Sequence, residues 1–349
     1  MMGTRPPSDS ELLNRVQQQI TSVLPKDWLA GLATGGSGGQ PDLFMTVTAP
    51  DGSTGQLAIE AKSLAEPKQA LAAIERLRRY SGAPVLAAPF LSRRTREVLE
   101  GAGVGYVDMT GNLLLRLDRP ALFARLLGEE KNPWLGGRLG RSLRGPKAAR
   151  IVRLLVDVAR PLSVSEIAKQ TQTDTGYVSR VLDVLEGDAL VERVSRGPVQ
   201  RVAWEGLIRR WVDDYSVLKS NSYASYFDPR DLARLPARFD RVTVRYAITG
   251  SFAASVTEVA PPRLLMAFVD DPATIADSLS LKPAGVGANV ILLRPFDPVV
   301  YERSARRDGV IYVGMSQLVA DLLTGPGRMP EEAESVLAWM RLNESRWRA

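Results

Sequence analysis

Apolar and polar residues follow two different periodicities along this chain of 349 residues. Apolar side chains at three- and four-residue steps, as in Leu71, Ile74 and Leu77, predict amphipathic helices, whereas short apolar runs predict strands. Within residues 1–137 the pattern predicts helices at 9–20, 67–80 and 92–101 and strands at 43–48, 56–59 and 84–88. This order of elements predicts an α/β domain.

Residues 138–220 have the pattern of a small helical domain that ends in a β-hairpin. Helices are predicted at 147–159, 166–170 and 176–186, and the hairpin at 190–204. Ser163 stands three residues before Glu166, which is the spacing of a capping box, and Asp174 or Thr175 can cap the next helix. Glycines and prolines within 132–146 predict a linker before this domain.

Residues 221–349 show a mixed pattern. The segment 221–237 is polar and rich in turn formers, and strands are predicted after it at 242–248, 264–269, 290–293 and 310–313. Pro330 stands where a closing helix over 331–340 is predicted to begin. Because one hydrophobic core rarely serves more than ~250–300 residues, we expect an α+β multidomain protein with domains at 1–137, 138–220 and 221–349.

The composition excludes several kinds of chemistry. The chain contains neither histidine nor cysteine, which rules out disulfides, thiol nucleophiles, Ser-His-Asp hydrolysis and zinc sites of the Cys/His kind. No run approaches the ~20 apolar residues that a membrane span needs, and residues 1–10 lack the apolar core of a signal peptide. We therefore expect a cytoplasmic protein with no membrane partner.

Positive charge is concentrated in the middle of the chain. The formal net charge is +6, and the segment from Arg138 to Lys219 holds 15 basic against 10 acidic residues, which leaves +5 there. A basic residue recurs at every third position of Arg138, Arg141, Arg144, Lys147 and Arg150. Such clustering favours a polyanionic partner, and double-stranded DNA fits the surrounding pattern.

The predicted helix at 176–186 has the features of a DNA-recognition helix. Val178, Val181 and Leu182 form its apolar face, so small, polar and basic residues of its first turns point outward. The candidate DNA contacts are Thr175, Tyr177, Ser179 and Arg180 on this helix, Arg193, Arg196 and Arg201 on the hairpin, and Arg141, Arg144 and Lys147 before it. The arrangement resembles winged helix-turn-helix transcriptional regulators. A purely structural or protein-contact module is the alternative.

A second chemical motif lies in the first domain. Glu60 and Lys62 share one face of a strand. If Ala49–Ser53 forms a hairpin turn, Asp42 lies opposite positions 60 to 62, and a one-residue bulge decides which of them it faces. Asp42, Glu60 and Lys62 match the PD-(D/E)XK motif, and the order of elements resembles restriction-endonuclease-like proteins. The resemblance implies that Asp42 and Glu60 hold Mg²⁺ and that Lys62 orients a nucleophilic water. The alternative is a structural ion-pair cluster in a domain without activity.

The third domain carries a weaker nucleotidyltransferase-like pattern. Thr249-Gly250-Ser251 resembles the glycine-serine signature of nucleotidyltransferases, but the metal-binding acidic pair is missing, and the adjacent Asp270 and Asp271 point to opposite faces of a strand. Segments 292–297, 316–318, 321–323 and 332–334 resemble abortive-infection type IV antitoxins and related regulators. That resemblance implies a domain without activity beside a winged helix that represses its own operon. These antitoxins usually begin with the winged helix, whereas this chain has the nuclease-like domain first.

Together these features predict a DNA-binding transcriptional regulator that acts as a repressor. One alternative is a Mg²⁺-dependent DNA endonuclease that the same helices direct to its target, with Mg²⁺ as cofactor only in that case. A second alternative is an antitoxin-like interaction protein whose C-terminal domain contacts another protein. A homodimer is expected if the DNA target is palindromic, because two half-sites require two recognition helices.

Overall fold

A computed structural model describes residues 8–33, 41–130, 132–134, 142–194, 197–254 and 261–348. The chain divides into two compact units, which we describe separately. Unit 1 comprises residues 1–139 with 186–189, and unit 2 comprises residues 140–185 with 190–349. Both contain helices and strands, which confirms the expected mixture of α and β structure. In the described residues no helix is long and apolar enough to cross a membrane.

Unit 1 is a sheet with helices on both faces. Its helices are α1 (Asp9–Val23), α2 (Pro67–Leu77) and α3 (Arg93–Gly101), and its strands are β1 (Leu29–Ala33), β2 (Leu43–Thr48), β3 (Thr54–Ala61), β4 (Ala83–Ala88), β5 (Gly105–Asp108), β6 (Leu113–Leu117) and β7 (Leu122–Leu126). The strands lie in chain order, β3, β4 and β5 are parallel, and the other neighbours are antiparallel. Ile59 and Val85 pack on the face that α1 covers, whereas Leu86 and Tyr106 pack on the face of α2 and α3.

The first part of unit 2 has the predicted order of three helices and a hairpin. These elements are α4 (Pro146–Asp157), α5 (Val164–Thr171), α6 (Thr175–Gly187), β8 (Val191–Arg193) and β9 (Val199–Val202). Ser163 and Glu166 form the predicted capping box, and the Asp174 carboxylate accepts the Tyr177 amide at 2.8 Å. A bridge between Leu162 and Val199 adds the segment before α5 to the hairpin.

The rest of unit 2 is a mixed sheet covered by helices. Its elements are α7 (Trp204–Trp211), β10 (Ser222–Phe227), α8 (Leu235–Arg238), β11 (Tyr246–Thr249), β12 (Leu265–Val269), α9 (Pro272–Ser278), β13 (Lys282–Pro283), β14 (Val290–Arg294), β15 (Ala305–Arg307), β16 (Val310–Tyr312), α10 (Met315–Leu323), α11 (Met329–Leu342) and α12 (Glu344–Trp347). The strand order is β13-β10-β14-β12-β11-β16-β15. One continuous core joins α4 to this sheet and to α10 and α11.

Several features differ from the sequence predictions. The strand expected at 242–248 is only Tyr246–Thr249, and the supposedly turn-rich segment 221–237 contains β10, which pairs with β13 and β14. Helices α7 and α10 were not predicted. Leu71 was expected on the apolar face of α2 but is exposed. The buried face of α2 is formed by alanines together with Ile74 and Leu77. Packing against a sheet accepts small residues that a search for large apolar side chains overlooks.

A buried carboxylate, Asp321 on α10, lies in the core of unit 2. Thr249 and Tyr215 each donate a hydroxyl hydrogen bond to it at 2.6 Å, and Gln317 Nε2 donates a third at 2.8 Å. Burial raises the pKa of Asp321 to about 6, although these three donors oppose the shift. Its ionisation is therefore coupled to the stability of unit 2.

We predict that Asp321→Asn changes how stability depends on pH. The pKa is higher in the folded protein than in the unfolded chain, so this group stabilises the fold fully below about pH 4 and loses that effect as the pH rises through 6. The wild type should therefore lose stability relative to the variant between pH 4 and 6. The difference in the free energy of unfolding should change by on the order of 3 kcal/mol at most over this range and stay constant above pH 6. Urea unfolding at several pH values measures this, with exposed Asp277→Asn as the control. A difference that does not vary with pH would contradict it.

Candidate nucleic-acid interface and metal centre

The N-terminal turn of α6 presents the predicted recognition residues. Thr175 and Arg180 are exposed, and Tyr177 and Ser179 are partly exposed. The apolar residues of the same helix, Val178 among them, are buried in the core of unit 2. The helix is therefore oriented as the sequence predicted, with its polar first turns toward solvent.

Two cations flank the ring of Tyr177. Lys147 Nζ lies 5.8 Å from the ring centroid, and the Arg180 guanidinium carbon lies 5.9 Å from it. Lys147 also lies 3.6 Å from the Asp174 carboxylate, which caps α6. The amino ends of α4 and α6 thus form one surface, which we call the Tyr177 cluster: Lys147, Asp174, Tyr177 and Arg180.

The predicted hairpin residues fall into two environments. Arg201 is 77% exposed and lies 3.4 Å from the exposed Glu192 on the paired strand. The Arg193 side chain is only 3% exposed, and its guanidinium donates to the Asp183 carboxylate of α6 at 2.6 Å. In this position Arg193 connects β8 to α6. Arg196 lies outside the described residues.

The basic residues that recur at every third position before α5 also fall into two environments. Arg144 and Lys147 are exposed, and Arg144 lies 3.6 Å from Asp214. Arg150 instead forms two hydrogen bonds to the Asp297 carboxylate, at 2.7 and 3.0 Å. Arg138 and Arg141 lie outside the described residues. The periodic spacing of these cations therefore does not place them all on one surface.

The candidate metal centre of unit 1 forms where the hairpin β2–β3 ends. The turn at 49–53 is present, and Leu43 pairs with Ile59, so Asp42 is the next position opposite Glu60. Asp42 Oδ2 accepts the amide of Ala61 at 2.7 Å. The antiparallel register thus brings together two carboxylates that are 18 positions apart in the sequence.

Glu60 is the centre of a charged cluster. It is 5% exposed, and strand alternation places it on the face covered by α2. Lys62 Nζ lies 2.8 Å from Glu60 Oε1, and Arg76 of α2 donates to the same oxygen through Nε at 3.0 Å and through Nη2. Burial alone would raise the pKa of Glu60, but the bonds from Arg76 and Lys62 outweigh it and hold the pKa below its usual range. We call Asp42, Glu60, Lys62 and Arg76 the Glu60 cluster.

The Glu60 cluster fits a divalent ion in its donor chemistry. Carboxylate oxygens are the ligands that Mg²⁺ prefers. Glu60 Oε2 is buried and has no hydrogen-bond partner, so one acceptor of the cluster is left without a donor. Groups of three or more acidic, histidine or cysteine side chains suited to a metal do not occur among the described residues, so Asp42 and Glu60 would need ligands from water or substrate.

The motifs within residues 221–349 that resemble those of nucleotidyltransferases and antitoxins make contacts within unit 2. Thr249 binds Asp321, while Asp270 accepts the Tyr301 hydroxyl and Asp271 caps α9. The two aspartates therefore have separate partners. Further motif residues contact residues of α4, of α7 and of the segment after α7 in four pairs: Asp297 with Arg150, Ser316 with Arg153, Asp321 with Tyr215, and Glu334 with Arg209.

Sequence reasoning missed Arg76 in the Glu60 cluster and the role of Asp174 beside Lys147. The helical phase of α2, with Ala73 and Leu77 buried, was a signal that Arg76 lies next to the sheet. No protein-family model, curated protein or solved structure matches the chain significantly. Its function is therefore inferred from its residues and their geometry.

We predict that Arg193→Ala destabilises unit 2 more than Arg201→Ala does. The first change removes a buried guanidinium that donates to the Asp183 carboxylate at 2.6 Å, whereas the second removes a solvent-exposed ion pair. We expect a loss of about 1–3 kcal/mol in the free energy of unfolding for Arg193→Ala and under about 0.5 kcal/mol for Arg201→Ala. Chemical denaturation of the two variants measures this, and equal losses would contradict the assignment.

Proposed function

We propose that this protein is a double-stranded DNA-binding transcriptional regulator that acts as a repressor through a winged helix-turn-helix formed by α4, α5, α6, β8 and β9. The observation that supports this most directly is the Tyr177 cluster at the amino end of α6. A helix whose first turns offer an arginine, an aromatic ring and hydroxyls to solvent can enter the major groove and contact base edges.

The division of labour within the interface follows from exposure. Arg180 lies on the outward face of α6 and can donate two hydrogen bonds to guanine O6 and N7. Arg144, Lys147 and Arg201 are exposed and do not belong to α6, so they are suited to contacts with the phosphate groups of DNA. Arg193 and Arg150 bind the carboxylates of Asp183 and Asp297, so we assign them to holding the interface in place and not to contacting DNA.

A regulatory role is favoured over a free DNA-binding module because α4 is enclosed. Most of its side chains are buried, and it packs on α7 and α10 as well as on α5. DNA contacts and the C-terminal part of unit 2 therefore share one core. The resemblance to antitoxin-like regulators agrees with this arrangement.

We predict that Arg180→Ala weakens binding to DNA from upstream of the protein's own gene by about tenfold or more, because one good base contact contributes about 1–3 kcal/mol. Arg201→Ala should instead weaken binding to specific and to unrelated DNA by the same factor. It should also reduce the slope of log Kd against log salt concentration by about one. Fluorescence anisotropy over a salt series measures both effects.

The matched control is Arg234→Ala, which removes the same charge from an exposed side chain on the C-terminal part of unit 2. It should leave both affinity and salt slope unchanged. Equal affinity of the wild type for operator and unrelated DNA would contradict the regulator, and absence of any DNA binding would contradict the interface itself.

The Glu60 cluster supports a second candidate function, a Mg²⁺-dependent DNA endonuclease. Lys62 contacts Glu60, Asp42 accepts the amide of Ala61 between them, and Glu60 Oε2 has no hydrogen-bond partner, which supports the PD-(D/E)XK resemblance. A divalent ion bound there would act as a Lewis acid on the phosphate. The residues themselves would hold the ion through Asp42 and Glu60 and orient a water through the Lys62 ammonium.

We predict that, if this site is active, the wild type nicks plasmid DNA in millimolar Mg²⁺ or Mn²⁺ and Lys62→Ala does not. Lys68→Ala is the matched control, since Lys68 is an exposed lysine in the first turn of α2. Agarose gels of supercoiled plasmid measure the reaction. Equal nicking by wild type and Lys62→Ala, or none by either on every substrate tried, would rule out this second candidate.

A further inference from the structure

Both cations of the Glu60 cluster contact the same oxygen. Lys62 and Arg76 bind Glu60 Oε1, while Oε2 of the same carboxylate is buried without a partner. An arginine that meets a carboxylate fork to fork would use both oxygens. Here both Nε and Nη2 donate to Oε1, so one oxygen receives the contacts from both cations and the other has no hydrogen-bond partner.

The formal charges of the cluster cancel. Asp42 and Glu60 carry two negative charges, Lys62 and Arg76 carry two positive ones, and Arg76 is close enough to Asp42 for the two charges to interact. Without Arg76 the cluster would carry one net negative charge. A divalent cation is drawn to a site by uncompensated negative charge, and each fixed cation beside the ligands weakens that attraction.

We propose that Arg76 is a built-in counter-cation that keeps the affinity of Asp42 and Glu60 for a divalent metal ion low. The proposal rests on the metal site of the second candidate function, not on catalysis by it. Arg76 thereby decides how much free Mg²⁺ or Mn²⁺ the protein needs before the site fills, and at low metal concentration the cluster stays an internal ion-pair network.

The charge of Arg76 matters more for metal affinity than the mechanical support that Arg76 gives to the Glu60 side chain. When Arg76 is removed, Lys62 still holds Oε1 at 2.8 Å and strand β3 still fixes the backbone of Glu60. The carboxylate therefore keeps its position while the cluster gains a net negative charge. The Arg76 side chain is 43% exposed, so solvent screens part of the effect, and at least a tenfold change in metal affinity is expected.

Mn²⁺ binding to the full-length protein tests the proposal without any nuclease assay. The electron paramagnetic resonance signal of free Mn²⁺ is titrated with the wild type, Arg76→Gln, Arg76→Lys and the matched control Arg78→Gln, an exposed arginine that lies near Glu75. Arg76→Gln should bind Mn²⁺ at least about tenfold more tightly than the wild type. Arg76→Lys keeps the charge and should stay as weak as the wild type, as should Arg78→Gln.

The double variant Arg76→Gln, Glu60→Gln locates the ion and should lose the gained affinity. Equal or weaker Mn²⁺ binding by Arg76→Gln than by the wild type would overturn the proposal, and so would tightening that persists in the double variant. Tightening by Arg76→Lys to the same degree would show that geometry and not charge is responsible, which also overturns it. If Arg76→Gln binds Mn²⁺ tightly yet no variant cuts DNA, the nuclease candidate fails and the counter-cation role stands.

Discussion

The buried guanidinium of Arg153 constrains unit 2 more than any surface contact does. This side chain of α4 is 1% exposed, and it donates to the carbonyl oxygens of Val299 and Glu302 and to the Ser316 hydroxyl. Leaving a buried charge without such acceptors costs several kcal/mol, so the segment around 299–316 must lie against α4 whenever the unit is folded. Arg348, about 190 positions further along the chain, adds hydrogen bonds to the carbonyls at and just after the end of α4.

This constraint determines how the proposed DNA interface is presented. Here α4 is covered by α7, α10 and the residues around Val299. The Tyr177 cluster includes Lys147 from α4, so its geometry depends on the same packing. The orientation of this surface and the integrity of the C-terminal part are therefore linked.

In unit 1 the corresponding constraint is the register of one hairpin. Pairing of Leu43 with Ile59 brings Asp42 beside Glu60, and a slip of one residue would turn Glu60 to the face of α1. The phase of α2 then adds Arg76, which balances the charge of the cluster. A short motif read from sequence describes the acids and the lysine but omits the residue that sets their net charge.

Local features were predictable because they depend on neighbours in sequence. The capping box at Ser163, the apolar face of α6 and the turn at 49–53 follow from residues within one or two turns of each other, and each occurs where expected. Strand β10 was missed because its polar, aromatic pattern becomes a strand only by pairing with β13 and β14. Local propensity carries no information about such distant partners.

The sequence by itself determined the mixed α and β class, the three helices and hairpin of the central segment, and the residue types of both candidate sites. Only the tertiary structure decided that Arg193 is buried against Asp183, that Arg150 is bound to Asp297, and that Arg76 joins Glu60. The reason is that an arginine looks the same in sequence whether it faces solvent or a buried carboxylate. Its environment is set by packing between elements that are far apart along the chain.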